Sequence, residues 1–444
     1  MNRFTCDWIF QILVVLCDGK VVCGCADPYG DRPLGQVGKQ TLLEIWNSSA
    51  VQEIRRGLNQ GYAPFCLNCG LKRPLRNDEA PQRRGVIQDC LPRIFLEPTV
   101  VCNLNCRGAV CSKDSKILAS RSRHYFPRDE LLPMLVPVGK QLIRIDFFNY
   151  GDPFCHPEAV SMLKDIKASF PGIYLYTSTN GLLLTDEKMV GLIRSGLDEI
   201  TFSVDGADQK TYERYRRNGQ FPRVLAIMRR FMELRRQDGA ETPFVNWRYI
   251  LFRWNDSSRQ MNKARRLARK IGLDRLTWEI TDHPEDAFSR KFFPGTRGWE
   301  RIRFEIWDTS QIGSAIKGNR FIARFTDIPQ SIRMKVGEAA AVDVAVQNRG
   351  GALWPERTRT GRRMVRLGAQ LYSIEGNRLD LNYSRAFLPM ALSGGKTGVI
   401  RIELPPLPGA GEYQLKWDMV SEGNDWFENG GSPVAWTRLK CLPE

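Results

Sequence analysis

The sequence predicts an α/β protein whose central βα units build a parallel sheet, with a cysteine-rich region before them and an all-β domain after them. Three observations carry this reading. From about residue 86 to 310, six short apolar runs alternate with amphipathic helical patterns, as parallel strands joined by crossover helices do. Six of the twelve cysteines fall within residues 1–85, where the pattern is irregular. From about residue 318 the helical period disappears, and strand-length runs alternate with Gly and Pro turns, the pattern of a β-sandwich. The expected domains are therefore 1–85, 86–310 and 318–444.

Length and composition agree with this division. A chain of 444 residues exceeds one ordinary core. Its 42% hydrophobic and 26% charged residues are those of a globular protein. The net charge of +16 suits an acidic partner, whether a phosphate-bearing substrate, a nucleic acid or an acidic peptide. No run reaches the roughly 18 apolar residues of a membrane span. Trp8 to Leu16 is apolar, but Asp7 precedes it, Gln11 interrupts it and Cys17-Asp-Gly-Lys follows it. It reads as a strand and not as a signal sequence, so the expected location is the cytoplasm. There, cysteines serve metal or redox chemistry more often than disulfides. With only His124, His156 and His283 in the chain, a His-rich zinc or non-haem iron site is disfavoured.

The elements follow in order. Asp18-Gly19 is a hairpin turn between two short strands, Leu42 to Leu58 has the spacing of an amphipathic helix, and Lys72 to Arg84 is a polar linker. Core strands are expected at Ile94–Glu97, Leu142–Phe148, Ile173–Thr177, Glu199–Val204, Phe244–Phe252 and Leu276–Ile280. Helices are expected at Arg128–Val136, Glu158–Phe170, Asp186–Ser195, Gln209–Arg216, Arg223–Arg236 and Ser257–Ile271. Chemistry in such folds gathers at the C-terminal ends of the strands. Four polar clusters fall there: the cysteines after the first strand, Tyr150-Gly-Asp-Pro153, Thr179-Asn-Gly181 and Val204-Asp-Gly206.

Cys102-Asn-Leu-Asn-Cys106-Arg-Gly-Ala-Val-Cys111 places three thiolates within ten residues. Thiolates suit iron–sulfur clusters and zinc. A structural zinc site would need a fourth ligand, and none is near in sequence. Three ligands instead leave one iron of a 4Fe-4S cube open to a second molecule.

With these cysteines, Asn149-Tyr-Gly151-Asp152-Pro153, Ser178-Thr-Asn180-Gly181 and Ser203-Val-Asp205-Gly206 followed by Tyr212 and Arg216, residues 90–285 resemble the radical S-adenosylmethionine (radical SAM) superfamily. The family spacing is Cys-x3-Cys-x2-Cys; here the second interval is two residues longer, and Asp152 stands where the family has Glu. The resemblance implies a partial (β/α)6 TIM-like barrel with a 4Fe-4S cluster on Cys102, Cys106 and Cys111. It implies that S-adenosyl-L-methionine is bound by Gly151, Asp152, Asn180, Ser203, Asp205 and Arg216. It further implies reductive cleavage to a 5'-deoxyadenosyl radical, which abstracts hydrogen from a sugar-containing, peptide or other metabolite substrate, for oxidation or epimerisation. The electron would come from a low-potential donor such as flavodoxin or ferredoxin.

Cys6, Cys17, Cys23-Gly-Cys25, Ile45-Trp-Asn-Ser48 and Cys66-Leu-Asn-Cys69 resemble the SPASM or twitch module. This implies an auxiliary iron–sulfur cluster on Cys6, Cys66, Cys69 and either Cys23 or Cys25, with Cys17 and Cys90 as spares or Cys90 as an additional ligand. The same residues also fit a zinc ribbon. The C-terminal region, with Asn348-Arg-Gly-Gly-Ala-Leu-Trp354-Pro, Leu388-Pro389 and Trp426-Phe427, resembles an immunoglobulin-like module, in which Trp354 and Trp417 are expected as core. Two rival readings are a non-catalytic scaffold on a degenerate core and an RNA-modifying enzyme; the second lacks a dense basic arm or a separate RNA-binding module.

Overall fold

The computed structural model describes residues 3–443 apart from 7, 25–26, 76, 78–79, 82–83, 89–90, 111–115, 282–283, 285, 293–295, 303–304, 308–320, 351–353, 357–363, 393, 408, 423–424 and 431. Cys25, Cys90, Cys111 and His283 thus lie outside the described residues. The chain divides into two compact units, Met1–Arg297 and Gly298–Glu444.

The first unit is built on one sheet. Its strands are β1 (Ile12–Val15), β2 (Lys20–Val22), β3 (Gly35–Gln36), β4 (Arg93–Leu96), β5 (Arg144–Phe147), β6 (Tyr174–Thr179), β7 (Glu199–Ser203), β8 (Phe244–Ile250) and β9 (Arg275–Glu279), in the order β9-β8-β7-β6-β5-β4-β1-β2-β3. All six core strands read from the sequence are present as β4 to β9, and they run parallel. The cysteine-rich region shares this sheet, because β1 pairs in parallel with β4, Ile12 opposite Arg93 and Val15 opposite Leu96. β2 and β3 continue the sheet antiparallel. Gln11 marks where the apolar run changes from a helical turn over Trp8–Phe10 to strand.

Local capping explains the helices. The single helix expected at residues 42–58 is two, α1 (Leu42–Trp46) and α2 (Ser49–Asn59). Thr41 and Glu44 form a capping box at the first. Ser48 then starts the second by accepting from Val51 N, so the backbone turns there. The crossover helices are α3 (Arg128–Leu135), α4 (Ala159–Ser169), α5 (Asp186–Ile193), α6 (Phe221–Gln237) and α7 (Ser258–Ile271). α7 buries Met261, Ala264, Ala268 and Ile271 along one stripe and ends on Gly272 at φ +81°. The helix expected at residues 209–216 stops at Tyr212, and Arg216–Arg217 instead pairs as a short strand with Asn105–Cys106.

Alternation splits the two faces of the parallel strands. One face carries Ile94, Ile145, Leu175, Ile200 and Val245, all buried. The other is polar low in the barrel. Asp146 accepts from Arg93 Nε at 2.5 Å and Arg144 Nε at 2.9 Å. Glu199 accepts from Arg275 Nη2 and from the Tyr174 hydroxyl, both at 2.5 Å. These charges are paired and hydrogen-bonded, which is the condition under which burial is tolerated.

The second unit is mainly β from Ala323 onward. Its strands are β10 (Ala323–Asp327), β11 (Ser331–Lys335), β12 (Ala340–Asn348), β13 (Val365–Ser373), β14 (Arg378–Phe387), β15 (Thr397–Leu404), β16 (Gly411–Ser421) and β17 (Ala435–Leu442). They form the sheets β10-β12-β15 and β11-β17-β16-β13-β14. Trp354 and Trp417 are fully buried; Trp417 Nε1 donates to Thr437 Oγ1 at 2.8 Å. Both rings are core, as expected of them in such a module.

Removing Asp146 would take the carboxylate away from two buried guanidinium groups. Asp146→Ala is expected to lower stability by about 3–5 kcal/mol in denaturant unfolding. Burial opposes the Asp146 charge, but Arg144 and Arg93 outweigh it and hold the carboxyl below its ordinary range. Its contribution is therefore fully present above about pH 4 and lost as pH falls through the lower folded value, a step that should be absent from the variant's stability profile.

Candidate functional site

The loop after β4 is held over the barrel mouth by backbone pairing. Cys106 lies opposite Arg216, and Arg107 N donates to Tyr215 O at 2.9 Å. Arg216 is fixed in turn: its Nε donates to Asp205 Oδ2 at 2.6 Å, and its Nη1 lies 3.6 Å from Cys106 Sγ. Asp205 also accepts from Ile250 N at 2.7 Å, which anchors it to the end of β8. The Arg216 guanidinium therefore meets a thiol sulfur on one side and a carboxylate on the other. Its Nη2 has no protein hydrogen bond among the described residues.

Asp152 closes the neighbouring strand end. Its carboxylate accepts from Asn180 N and Thr179 Oγ1, both at 2.8 Å, and from Phe154 N at 3.1 Å. Its own N–H donates to Val101 O at 2.9 Å, in the cysteine loop. Burial pushes the Asp152 carboxyl up, against these hydrogen bonds. Gly151 is required by space: a Cβ there would stand 2.3 Å from Thr99 O and 2.6 Å from Val101 O. Asn180 Nδ2 donates to Asn103 Oδ1 at 2.7 Å, tying β6 to the same loop. Ser203 Oγ lies 3.0 Å from Ser178 Oγ and accepts from Arg248 Nη2 at 2.9 Å.

The structure thus gathers Cys102, Cys106, Gly151, Asp152, Asn180, Ser203, Asp205 and Arg216 around the C-terminal ends of β4 to β8, with Cys111 outside the described residues. Burial pushes the Cys102 thiol up to about 11, with the Asp152 carboxylate adding to it. A thiol in this state ionises only with a cation or metal beside it. Cys155 lies beside this group, its thiol pushed up to about 12 by burial and by the neighbouring Asp152 and Cys102. His156 does not: its Nε2 donates to Phe126 O at 3.0 Å and its Nδ1 accepts from Glu158 N at 3.0 Å.

Cys6, Cys23, Cys66 and Cys69 line a second, largely enclosed pocket, walled by Trp8, Ile9, Leu58 and Phe65. Burial raises the Cys23 thiol well above its ordinary range, and Cys6, Cys66 and Cys69 each add to the shift. Cys23 stands with the other three, and Cys25 lies outside the described residues. Cys17 is apart, its Sγ donating to Arg123 O at 3.2 Å. Among the described residues no three of His, Cys, Asp and Glu converge as ligands of a single ion do. A zinc ion draws sulfurs to about 2.3 Å of one point, whereas a cluster spaces its thiolates around its own faces. Four cysteines facing one enclosed pocket fit the larger group.

Two polar side chains in the barrel were not singled out by motif. Arg248 and Glu279, on adjacent strands β8 and β9, approach to 3.1 Å, with 16% and 22% of their side chains exposed. Burial raises the Glu279 carboxyl. Their trace in the sequence is alternation, Asn246 then Arg248 and Thr277 then Glu279, within runs that otherwise read as apolar strands.

Comparison with known proteins adds names to these features. The model of the radical SAM superfamily matches residues 96–245, and that of the SPASM iron–sulfur cluster-binding domain matches residues 6–70. A GTP 3',8-cyclase of Chlorobaculum tepidum is 29% identical over 135 residues, 30% of this chain and 39% of that protein. An AdoMet-dependent heme synthase of Methanosarcina barkeri is 30% identical over 142 residues, 30% of this chain and 38% of that protein. The chain therefore spans under two-fifths of the curated relatives it matches. Streptococcus suis SuiB bound to S-adenosylmethionine aligns with TM-score 0.37 and 14% identity, covering 45% of this chain and 44% of that one.

Serine substitution separates the cysteines by their surroundings. Ser in place of Cys6, Cys23, Cys66 or Cys69 is expected to remove one and the same portion of the protein's iron, measured after anaerobic reconstitution. Cys17→Ser should leave iron unchanged. Gly151→Ala should displace the Cys102 loop and lower the iron held there, leaving the portion held by the Cys6 group.

Proposed function

This chain carries a radical SAM domain and a SPASM iron–sulfur domain, and from that premise we propose an enzyme that reductively cleaves S-adenosyl-L-methionine and takes hydrogen from a polar substrate in its barrel. The first domain implies a 4Fe-4S cluster and S-adenosyl-L-methionine, the second an auxiliary iron–sulfur cluster. In this reading Cys102, Cys106 and Cys111 hold the first cluster, and Cys6, Cys23, Cys66 and Cys69 hold the second. When bound, the first cluster supplies an electron that breaks a carbon–sulfur bond of the cosubstrate, giving methionine and a 5'-deoxyadenosyl radical.

The residues of the chain orient that chemistry. Arg216, fixed by Asp205, offers its Nη2 to the methionine carboxylate, for which a guanidinium fork is well shaped. Asp152, pinned by Thr179 and Asn180, faces the ammonium with a negative charge. Ser203 and Asn180 complete the polar rim. Arg248 and Glu279 stand at the neighbouring strand ends and present opposite charges to a substrate. A peptide, a sugar-containing compound or another charged metabolite fits that lining, for oxidation or epimerisation.

Residues 86–310 serve as the radical core and 1–85 as the auxiliary module. Residues 318–444 serve as an immunoglobulin-like sandwich that takes no part in the chemistry. No helix among the described residues is long and apolar enough to cross a membrane. The proposed enzyme works in the cytoplasm with flavodoxin or ferredoxin as electron donor.

The observation that carries this reading is the convergence of Cys102, Cys106, Asp152 and Arg216 at one barrel mouth, with a built four-cysteine pocket in the same unit. Anaerobic protein given dithionite and S-adenosyl-L-methionine should release 5'-deoxyadenosine and methionine. Arg216→Lys should weaken cosubstrate binding at least tenfold, about 1.4 kcal/mol, by equilibrium dialysis. An intact Cys102 cluster that releases no 5'-deoxyadenosine would make the chain a scaffold on a radical-enzyme fold.

A further inference from the structure

Helix α2 carries an arginine that its protein surroundings leave unbalanced. Arg55 is 0% exposed. Its guanidinium lies 4.1 Å from the ring centre of Trp46 and 5.9 Å from that of Phe10. Nε donates to Ile9 O at 3.0 Å; Nη1 donates to Val86 O at 2.9 Å and to Asn47 Oδ1 at 3.3 Å. Nη2 is buried with no hydrogen-bond partner. No carboxylate pairs with it among the described residues. Burial pushes its pKa down to about 10, and the group that works against burial is the Cys23 thiolate.

A buried charge without a partner is strongly unfavourable, and an arginine remains protonated at neutral pH. Its position says where the counter-charge belongs. Leu58, one turn further along α2, lines the four-cysteine pocket, and so does Ile9, whose carbonyl Arg55 binds. Asp27, Arg32 and Lys72 line the pocket themselves, whereas Arg55 stands behind Ile9 and Leu58. Arg32 is exposed and Lys72 partly exposed, so water screens both. The Asp27 carboxylate is taken by the backbone of Asp31 and Arg32. Four thiolates around an iron–sulfur cluster carry net negative charge, and each reduction adds one more.

We propose that Arg55 is the buried counter-cation of the auxiliary cluster, balanced by it and raising its reduction potential. The inference rests on the auxiliary-cluster reading above. A fixed cation inside the protein favours the more negative, reduced form. In the metal-free protein the same cation keeps its carbonyl and ring contacts but has no counter-charge among the described residues, so cluster loss and instability of the N-terminal region are coupled.

The test uses the reconstituted full chain with Arg55→Gln, Arg55→Met and Arg55→Lys. In a redox titration followed by electron paramagnetic resonance, Gln and Met should lower the auxiliary midpoint by about a tenfold change in the reduction equilibrium, 59 mV for one electron. Lys should retain most of the wild-type value, and the other cluster should not move. Denaturant unfolding supplies a second readout. Gln and Met should destabilise the cluster-loaded protein yet stabilise the chelator-stripped protein relative to wild type. If Gln does not fold, Met keeps the packing against Trp46 and carries the comparison. An unchanged midpoint, or destabilisation of equal size with and without the cluster, would make Arg55 a structural residue and overturn the inference. Wild-type iron that is unaffected by changing Cys6, Cys23, Cys66 and Cys69 would overturn the auxiliary-cluster reading and this inference with it.

Discussion

The mouth of the barrel depends on how Arg216 is shared between Asp205 and Cys106. A guanidinium held at 2.6 Å from a carboxylate and 3.6 Å from a thiol sulfur lets two acidic groups lie close together away from water. Everything around it serves that placement. The helix after Asp208 ends after one turn so that Arg216–Arg217 can pair with Asn105–Cys106, and that pairing draws the cysteine loop across the strand ends. Gly151 then has no room for a side chain because the loop backbone passes within 2.3 Å of where one would sit. Asp152 and Asn180 fasten the loop's other side. The site is a network in which each polar group is held by the next strand end, so its geometry follows from the parallel sheet and not from loop sequence alone.

The cysteine-rich region is part of the same construction. Because β1 pairs with β4 along four residues, the strand that precedes the Cys102 loop is flanked by the region that holds the four-cysteine pocket. Cys17, at the end of that neighbouring strand, takes part in the link: its N–H donates to Glu97 Oε1, and Glu97 also binds Arg121 and Asn149. Its thiol is spent on Arg123 O and on burial. A cysteine that looks like a spare ligand in the sequence is thus a tie between the two halves of the unit.

Much of this was legible in the sequence. The six core strands, the stop of α7 at Gly272 and the placement of the polar motifs at strand ends follow from periodicity and turn residues, which are local. What stayed hidden is long-range. Nothing in Ile12 to Val15 says that it will add to β4, and the apolar pattern of residues 42–58 hides the break that Ser48 creates. The spacing of Cys23 and Cys25 suits a ligand at either position, so the sequence does not choose between them. Arg55, Arg248 and Glu279 belong to no motif, and a single sequence shows the period of a helix or strand but not which face a charge takes when its partner lies far along the chain.

The most direct test of the account is the response of the reduced protein's electron paramagnetic resonance spectrum to S-adenosyl-L-methionine. Two iron–sulfur signals are expected, one altered by the cosubstrate and one indifferent to it. Replacing Cys102 and Cys106 by Ala should abolish the altered signal and leave the indifferent one. A single signal, or two that both ignore S-adenosyl-L-methionine, would contradict the assignment of an open cluster to the Cys102 loop and of a closed one to the four-cysteine pocket.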